Sequence, residues 1–235
     1  MYGKCSPPPV NESLSPQRAD AAPLPSQERI PSLGSSIVRG AIGFTLLSIA
    51  GFMPWVLAGR FFYRTIGEVG LYLVCALVFI ILSAPLLHRL LRGERTYGRF
   101  YKIFGVAFTA YSVAWIAGWM AFKGHTGSLV GLFAGCVVMG LVLTAFFRAW
   151  PKLLAVIAIL FIANTVGYFI GGWIEGGIQV IRSGDATRDA ISPRMASIIG
   201  KTLWGVLYGL GFGAGLGASF YLLQRRSGND SPDVR

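Results

Sequence analysis

Hydrophobic and polar positions divide the chain into six apolar runs of bilayer-spanning length, at about 37–58, 67–90, 100–122, 128–147, 153–174 and 200–223. A helix needs roughly 20 apolar residues to cross the hydrocarbon core of a membrane, so the runs predict six transmembrane helices. The joints at 59–66, 123–127 and 148–152 are short, which makes the helices they connect antiparallel neighbours; the longer connections are 91–99 and 175–199. The first three runs show no convincing similarity to the last three, and an inverted repeat is unsupported. Residues 1–35 hold seven prolines (Pro7, Pro8, Pro9, Pro16, Pro23, Pro25, Pro31) among Ser, Gln and Glu. That stretch has no apolar core of the kind a signal peptide needs and reads as a disordered polar tail. The expected fold is an all-α integral membrane bundle over residues 36–224, with a second short tail at 225–235.

The last run carries an unusual pattern within this frame. Gly205, Gly209, Gly213 and Gly217 repeat every four residues, and Gly211, Gly215 and Ser219 form a second line. At about 100° per residue these lines fall on different sides of one helix, separated by Leu207, Leu210 and Ala214. In water each interior glycine costs roughly 1 kcal/mol relative to alanine. In lipid the unpaired backbone groups of any other conformation cost more, so helix persists. Lines of small residues then let neighbouring backbones approach. The pattern predicts a glycine-zipper helix at the centre of the bundle, gripped from two sides. In the fifth run, Gly167, Gly171 and Glu175 share the same period. Antiparallel packing of the two stripes predicts Gly171 against Gly205, Gly167 against Gly209 and Glu175 against Lys201. Pro54, three residues after Gly51, is expected to kink the first span near one end, and Pro85 to bend the second near the other.

Composition agrees with membrane immersion: 13% of residues are charged and 54% hydrophobic, against about 25% charged in soluble domains. The net charge of +11 first suggests nucleic acid, but the 21 Lys and Arg lie almost entirely between the apolar runs, where they orient helices and meet lipid headgroups. No nucleic-acid partner is expected. Fourteen of these cations fall with the N-tail, the 91–99 connection, the 148–152 joint and the C-terminus, and seven on the other side. The imbalance predicts both termini in the cytoplasm, with anionic lipid at that face, including along His88–Lys102. Trp55, Trp115, Trp119, Trp173 and Trp204 all fall toward the opposite interface and read as an anchoring belt. Arginine outnumbers lysine sixteen to five, which hints at a GC-rich bacterial genome and hence a bacterial inner membrane.

Candidate chemistry is sparse. His88 and His125 stand at opposite ends of the predicted bundle, so they cannot share a metal or axially ligate one haem. No Asp lies within a span. Ser219 sits in Gly217-Ala218-Ser219 with no histidine at membrane depth to activate it. The Gly209–Gly213 alternation touches a dinucleotide fingerprint but follows no strand. Cys5, Cys75 and Cys136 form no disulfide or metal pattern. No catalytic residue, cofactor or metal is therefore expected. Asn164, near the middle of the fifth span, and Glu175, at its outer boundary, are the polar residues that stand out, with Lys201 as the carboxylate's expected partner. Two functional readings follow. In the first, the chain is a non-enzymatic interaction or assembly subunit, associating with itself or with other membrane subunits. In the alternative, it is a small-solute or ion transporter or channel with a site near Asn164 and Glu175, the sixth span being broken there.

Overall fold

A computed structural model of the protein describes residues 32–93, 96–183 and 191–225. Every apolar run is a helix: α1 (Leu33–Thr65), α2 (Gly67–Leu87), α3 (Thr96–Phe122), α4 (Gly124–Phe147), α5 (Leu153–Ser183) and α6 (Pro193–Gln224). No strand occurs among the described residues. All six helices are long and apolar enough to cross a membrane, and the chain is a polytopic membrane protein of all-α class. The Pro-rich segment through Pro31 and the tail beyond Arg225 lie outside the described residues, as do Arg95 and Arg188.

Local signals set the helix ends. Ser32 caps α1 by accepting a hydrogen bond from the Ser35 amide at 3.2 Å, so the helix begins at Leu33, inside the stretch expected to belong to the tail. Ser192 caps α6 in the same way, with Pro193 at the first helical position, where its missing N–H removes nothing. The joint expected at 59–66 is instead helix, and Ile66 alone separates α1 from α2. Helical φ/ψ fails at Ala58, one turn beyond Pro54, beside Gly59. α3 reverses into α4 at Lys123 and Gly124, with φ of 53° and 57°. The α6 helix is continuous over Pro193–Gln224, not broken as the transporter alternative expected.

The helices form a ring in chain order, and α6 closes it by packing on α1. The most extensive contacts are α1–α6 and α5–α6; the α2–α3 and α4–α5 seams are looser. α6 is also the most buried span, with 56% of its apolar window inside the molecule against 22% for α5. Its two glycine lines face different partners. A Cβ placed on Gly209 would lie 2.6 Å from Thr45 Cα, and one on Gly213 2.6 Å from Phe44 Cβ, both in α1. On the second line, a Cβ on Gly211 would lie 2.9 Å from Gly167 Cα and one on Gly215 3.0 Å from Ala163 Cβ, both in α5.

That division corrects the expected α5–α6 register. Gly167 opposes Gly211, not Gly209, and Gly171 opposes Trp204, not Gly205. The reason is geometric: α5 meets α6 along Gly200, Trp204, Leu207 and Gly211, one or two residues off the expected line, and each residue turns a helix by about 100°. The Gly205–Gly217 line is already taken by α1, whose own small residues Ser36, Gly40 and Ser48 meet it, with Ser48 donating a 2.7 Å hydrogen bond to the Gly205 carbonyl. α5 is left with the other side. A further line, Gly127, Gly131 and Gly135 of α4, packs on α3; a Cβ on Gly131 would stand 2.8 Å from the Trp115 carbonyl oxygen.

The half of the ring nearest the described chain ends, residues 32 and 225, is filled. Phe44, Phe100, Phe104, Phe212 and Phe220 are fully buried there. On α3, Phe100, Phe104 and Phe108 stack at centroid distances of 5.2 and 5.1 Å. Polar stitches close the same end: Gln224 donates to the Leu90 carbonyl and accepts from the Arg92 amide, both at 2.8 Å. Lys152 donates to the Leu222 carbonyl at 2.9 Å.

Candidate functional site

In the opposite half the ring encloses a chamber of about 560 Å³. All six helices line it, and aromatic side chains make most of its wall. Their spacing explains why. Tyr111, Trp115 and Trp119 of α3 lie four residues apart, as do Trp204 and Tyr208 of α6, and that interval places side chains on one helix face. The α6 rings continue into Phe212 as a stack, with centroids 5.2 and 5.8 Å apart. Bulky rings on facing stripes hold the helices apart where glycines elsewhere draw them together.

This placement revises the aromatic belt. Trp55, Trp115, Trp119 and Trp204 are half-buried and line the chamber. Trp173 also borders the chamber, at its edge, and at 75% exposure it is the most exposed of the five. The level along the membrane was legible from sequence, but the direction was not. These tryptophans fall on the same helix faces as core aromatics, so they turn inward with them.

The charges are more selective still. Glu68 and Glu175 are the only acidic residues among those described, and both line the chamber. None of the Lys and Arg residues among those described lines it. Glu68 is held by three donors: Tyr72 OH and Trp119 Nε1 at 2.8 Å to one oxygen, and Lys123 Nζ at 2.8 Å to the other. Sequence reasoning passed over Glu68, because an acid in the first turn of a helix is the ordinary partner of the helix dipole. The usable signal was scarcity, since the second run contains no other charged residue before His88 and Arg89.

Glu175 lies across the chamber on α5. Among the described residues it makes no hydrogen bond, and no cation stands within 4.0 Å of it; the ion pair found there is Lys123–Glu68. Gly200 of α6 leaves room for its stem, since a Cβ there would stand 3.1 Å from Glu175 Cγ. Lys201 does not pair with it. Its ammonium lies 4.5 Å over the Trp55 ring, because Gly200 takes the place beside Glu175 and Lys201, one residue on, turns toward α1.

Asn164 is fully buried behind the chamber floor. Its side-chain amide donates to Tyr111 OH at 2.9 Å, and that hydroxyl lies 3.4 Å from Tyr208 OH. Tyr111 and Tyr208 line the chamber and Asn164 braces the first of them from outside. Among the described residues Asn164 Oδ1 has no hydrogen-bond partner. The structure thus brings Asn164 and Glu175 to one chamber, at its floor and its wall, and leaves Lys201 out of the lining. The packing glycines Gly167, Gly171, Gly205, Gly209, Gly213 and Gly217 lie outside the lining as well. His125 is in the lining, stacked on Phe169 at 6.2 Å. Among the described residues no three His, Cys, Asp or Glu side chains are grouped to hold a metal ion. The chamber offers π faces, hydroxyls and carboxylates, groups suited to holding and orienting a solute.

Compared with known proteins, the chain matches no family profile, no curated protein and no solved structure.

Proposed function

We propose that this protein is a non-enzymatic membrane protein that binds a small solute in the chamber and passes it across the bilayer, as a transporter or channel. The observation that carries the reading is that both carboxylates of the described residues line one aromatic-walled cavity within the helix ring. Its volume, about 560 Å³, falls in the ~300–1,000 Å³ range of small-molecule sites. Carboxylates within a membrane are costly to keep and are retained mainly for function. The α3–α4 hairpin is fastened within itself at Gly118 and Gly131 and meets α2 and α5 along the looser seams, an arrangement suited to movement of the pair as a unit. The basic imbalance supports a cytoplasmic location for both termini in a bacterial inner membrane, with anionic lipid there and the chamber facing outward.

A second reading, an assembly subunit, draws on α5. Gly176 and Gly177, which lie outside the chamber lining, have nothing within 4 Å of an added Cβ among the described residues, which leaves a small-residue face for a neighbouring helix, from another subunit or a second copy. Purification in mild detergent followed by reconstitution separates the two. A particle of this chain alone that releases trapped tetraethylammonium, glucose or carboxyfluorescein from liposomes supports the solute reading. A stable complex with other chains and no release of any of the three supports assembly.

A further inference from the structure

Resting on the reading of the chamber as a solute site, we propose that its ligand is an organic monocation: an ammonium or other onium centre carried on an apolar body. Three independent features of the wall select this class. The first is charge. Among the described residues, rich in Lys and Arg, the two acidic residues both line the chamber and no Lys or Arg does. An anion would meet two carboxylates, of which only Glu68 has an ion pair among the described residues.

The second is the division of labour between the carboxylates. Glu68 is already matched by Lys123 at 2.8 Å and held by two further donors. Glu175 has no ion pair within 4.0 Å among the described residues, and Lys201 is drawn off to the Trp55 ring. A carboxylate on the wall with no direct ion pair among the described residues calls for one positive charge from the ligand.

The third is the wall material. A small metal ion needs several oxygen ligands at short range, and no such group is assembled among the described residues. Tryptophan and tyrosine faces instead attract soft, weakly hydrated cations, by ~0.5–1 kcal/mol at exposed sites and about 2 kcal/mol or more once desolvated. The chamber's rim already shows this attraction, with Lys201 4.5 Å over Trp55 and Lys123 5.4 Å over Trp119. Those ammonium groups are tethered at the rim, while the inner rings, Trp115, Trp204 and Tyr208, face the chamber without one. An onium ligand places its charge near Glu175 and lays its apolar body on those inner rings.

The test uses the purified full-length protein with tetraphenylphosphonium and tetraphenylborate, ions matched in size and shape but opposite in charge. Equilibrium dialysis reads binding, and quenching of tryptophan fluorescence locates it in the chamber. Saturable binding of the phosphonium alone is expected, weakened at least tenfold in Glu175→Gln and partly restored in Glu175→Asp. Lys201→Met should bind the phosphonium at least as tightly as the parent. Because Glu175 makes no bond among the described residues, Glu175→Gln should keep the parent's thermal stability, which separates lost binding from lost fold. Equal binding of both ions, or parent affinity in a stably folded Glu175→Gln, overturns the cation assignment and leaves the chamber as a solute site. Absence of binding and quenching by either ion overturns the solute site itself.

Discussion

The two halves of the bundle use the same six helices and the same four-residue spacing, yet one is a solid core and the other a chamber. Near the described chain ends, Gly40 meets Gly213 and Gly217, and Ser36 meets Gly217, backbone against backbone. The remaining space is filled by Phe100, Phe104 and Phe220. At the far end the corresponding positions are Trp55, Trp115, Trp119, Trp204 and Tyr208, whose rings keep the helices apart. α6 holds both devices in one continuous helix, with Trp204, Tyr208 and Phe212 on one stripe and Gly209, Gly213 and Gly217 on another. What sets the filled half apart is the backbone contact of α1 and α6 at Gly40, Gly213 and Gly217, not the hydrophobicity of the span.

Substitutions on the two halves should therefore differ in cost, as read by denaturant or thermal unfolding in detergent. The largest effect is expected for Gly217→Leu, which would drive a side chain into the backbone of Ser36 and Ile37. Its cost should exceed the ~1–3 kcal/mol of ordinary overpacking, and the protein should lose its folded state. Gly176→Leu, on the open face of α5, should stay within about 0.5 kcal/mol of the parent. Similar stability in both variants would break the distinction.

Next in size, Phe104→Ala in the filled half should cost about 3–5 kcal/mol. Ser112→Ala on the chamber wall should cost no more than about 0.5 kcal/mol. A smaller effect is expected for Ser48→Ala, which removes the hydrogen bond from α1 to the Gly205 carbonyl; such bonds within membranes average ~0.6 kcal/mol and reach about 1.7. Glu68→Gln breaks a partly exposed ion pair with Lys123 and should cost about 1 kcal/mol or less. If Glu68→Gln destabilised the protein more than Phe104→Ala, the chamber rim and not the filled half would be the stabilising element.

Much of this architecture can be read from residues. Span number and helix order follow from the apolar runs, and the two-sided grip on α6 follows from its two small-residue lines. Register is where such reading stops: the Gly167–Gly171 stripe fits either line of α6, and choosing requires knowing that α1 claims the first. The same ambiguity moved Lys201 from Glu175 to Trp55. The chamber was legible only in part. Asn164 and Glu175 stood out as polar groups in or beside an apolar span, whereas Glu68 looked like an ordinary helix-start acid. The tryptophans were legible as a level and not as a direction, because facing is set by neighbours several spans away.

Cysteine accessibility tests the contrast between the halves most directly. In a Cys5→Ser, Cys75→Ser, Cys136→Ser background, Ser112→Cys places a thiol on the chamber wall and Ser83→Cys places one in the filled half, at a position with 0% exposure. A membrane-impermeant trimethylammonium methanethiosulfonate should modify Ser112→Cys from the side of the membrane opposite the termini, and Ser83→Cys from neither side. Equal modification of the two, or an inert Ser112→Cys, would contradict a protein built as one closed half and one open half.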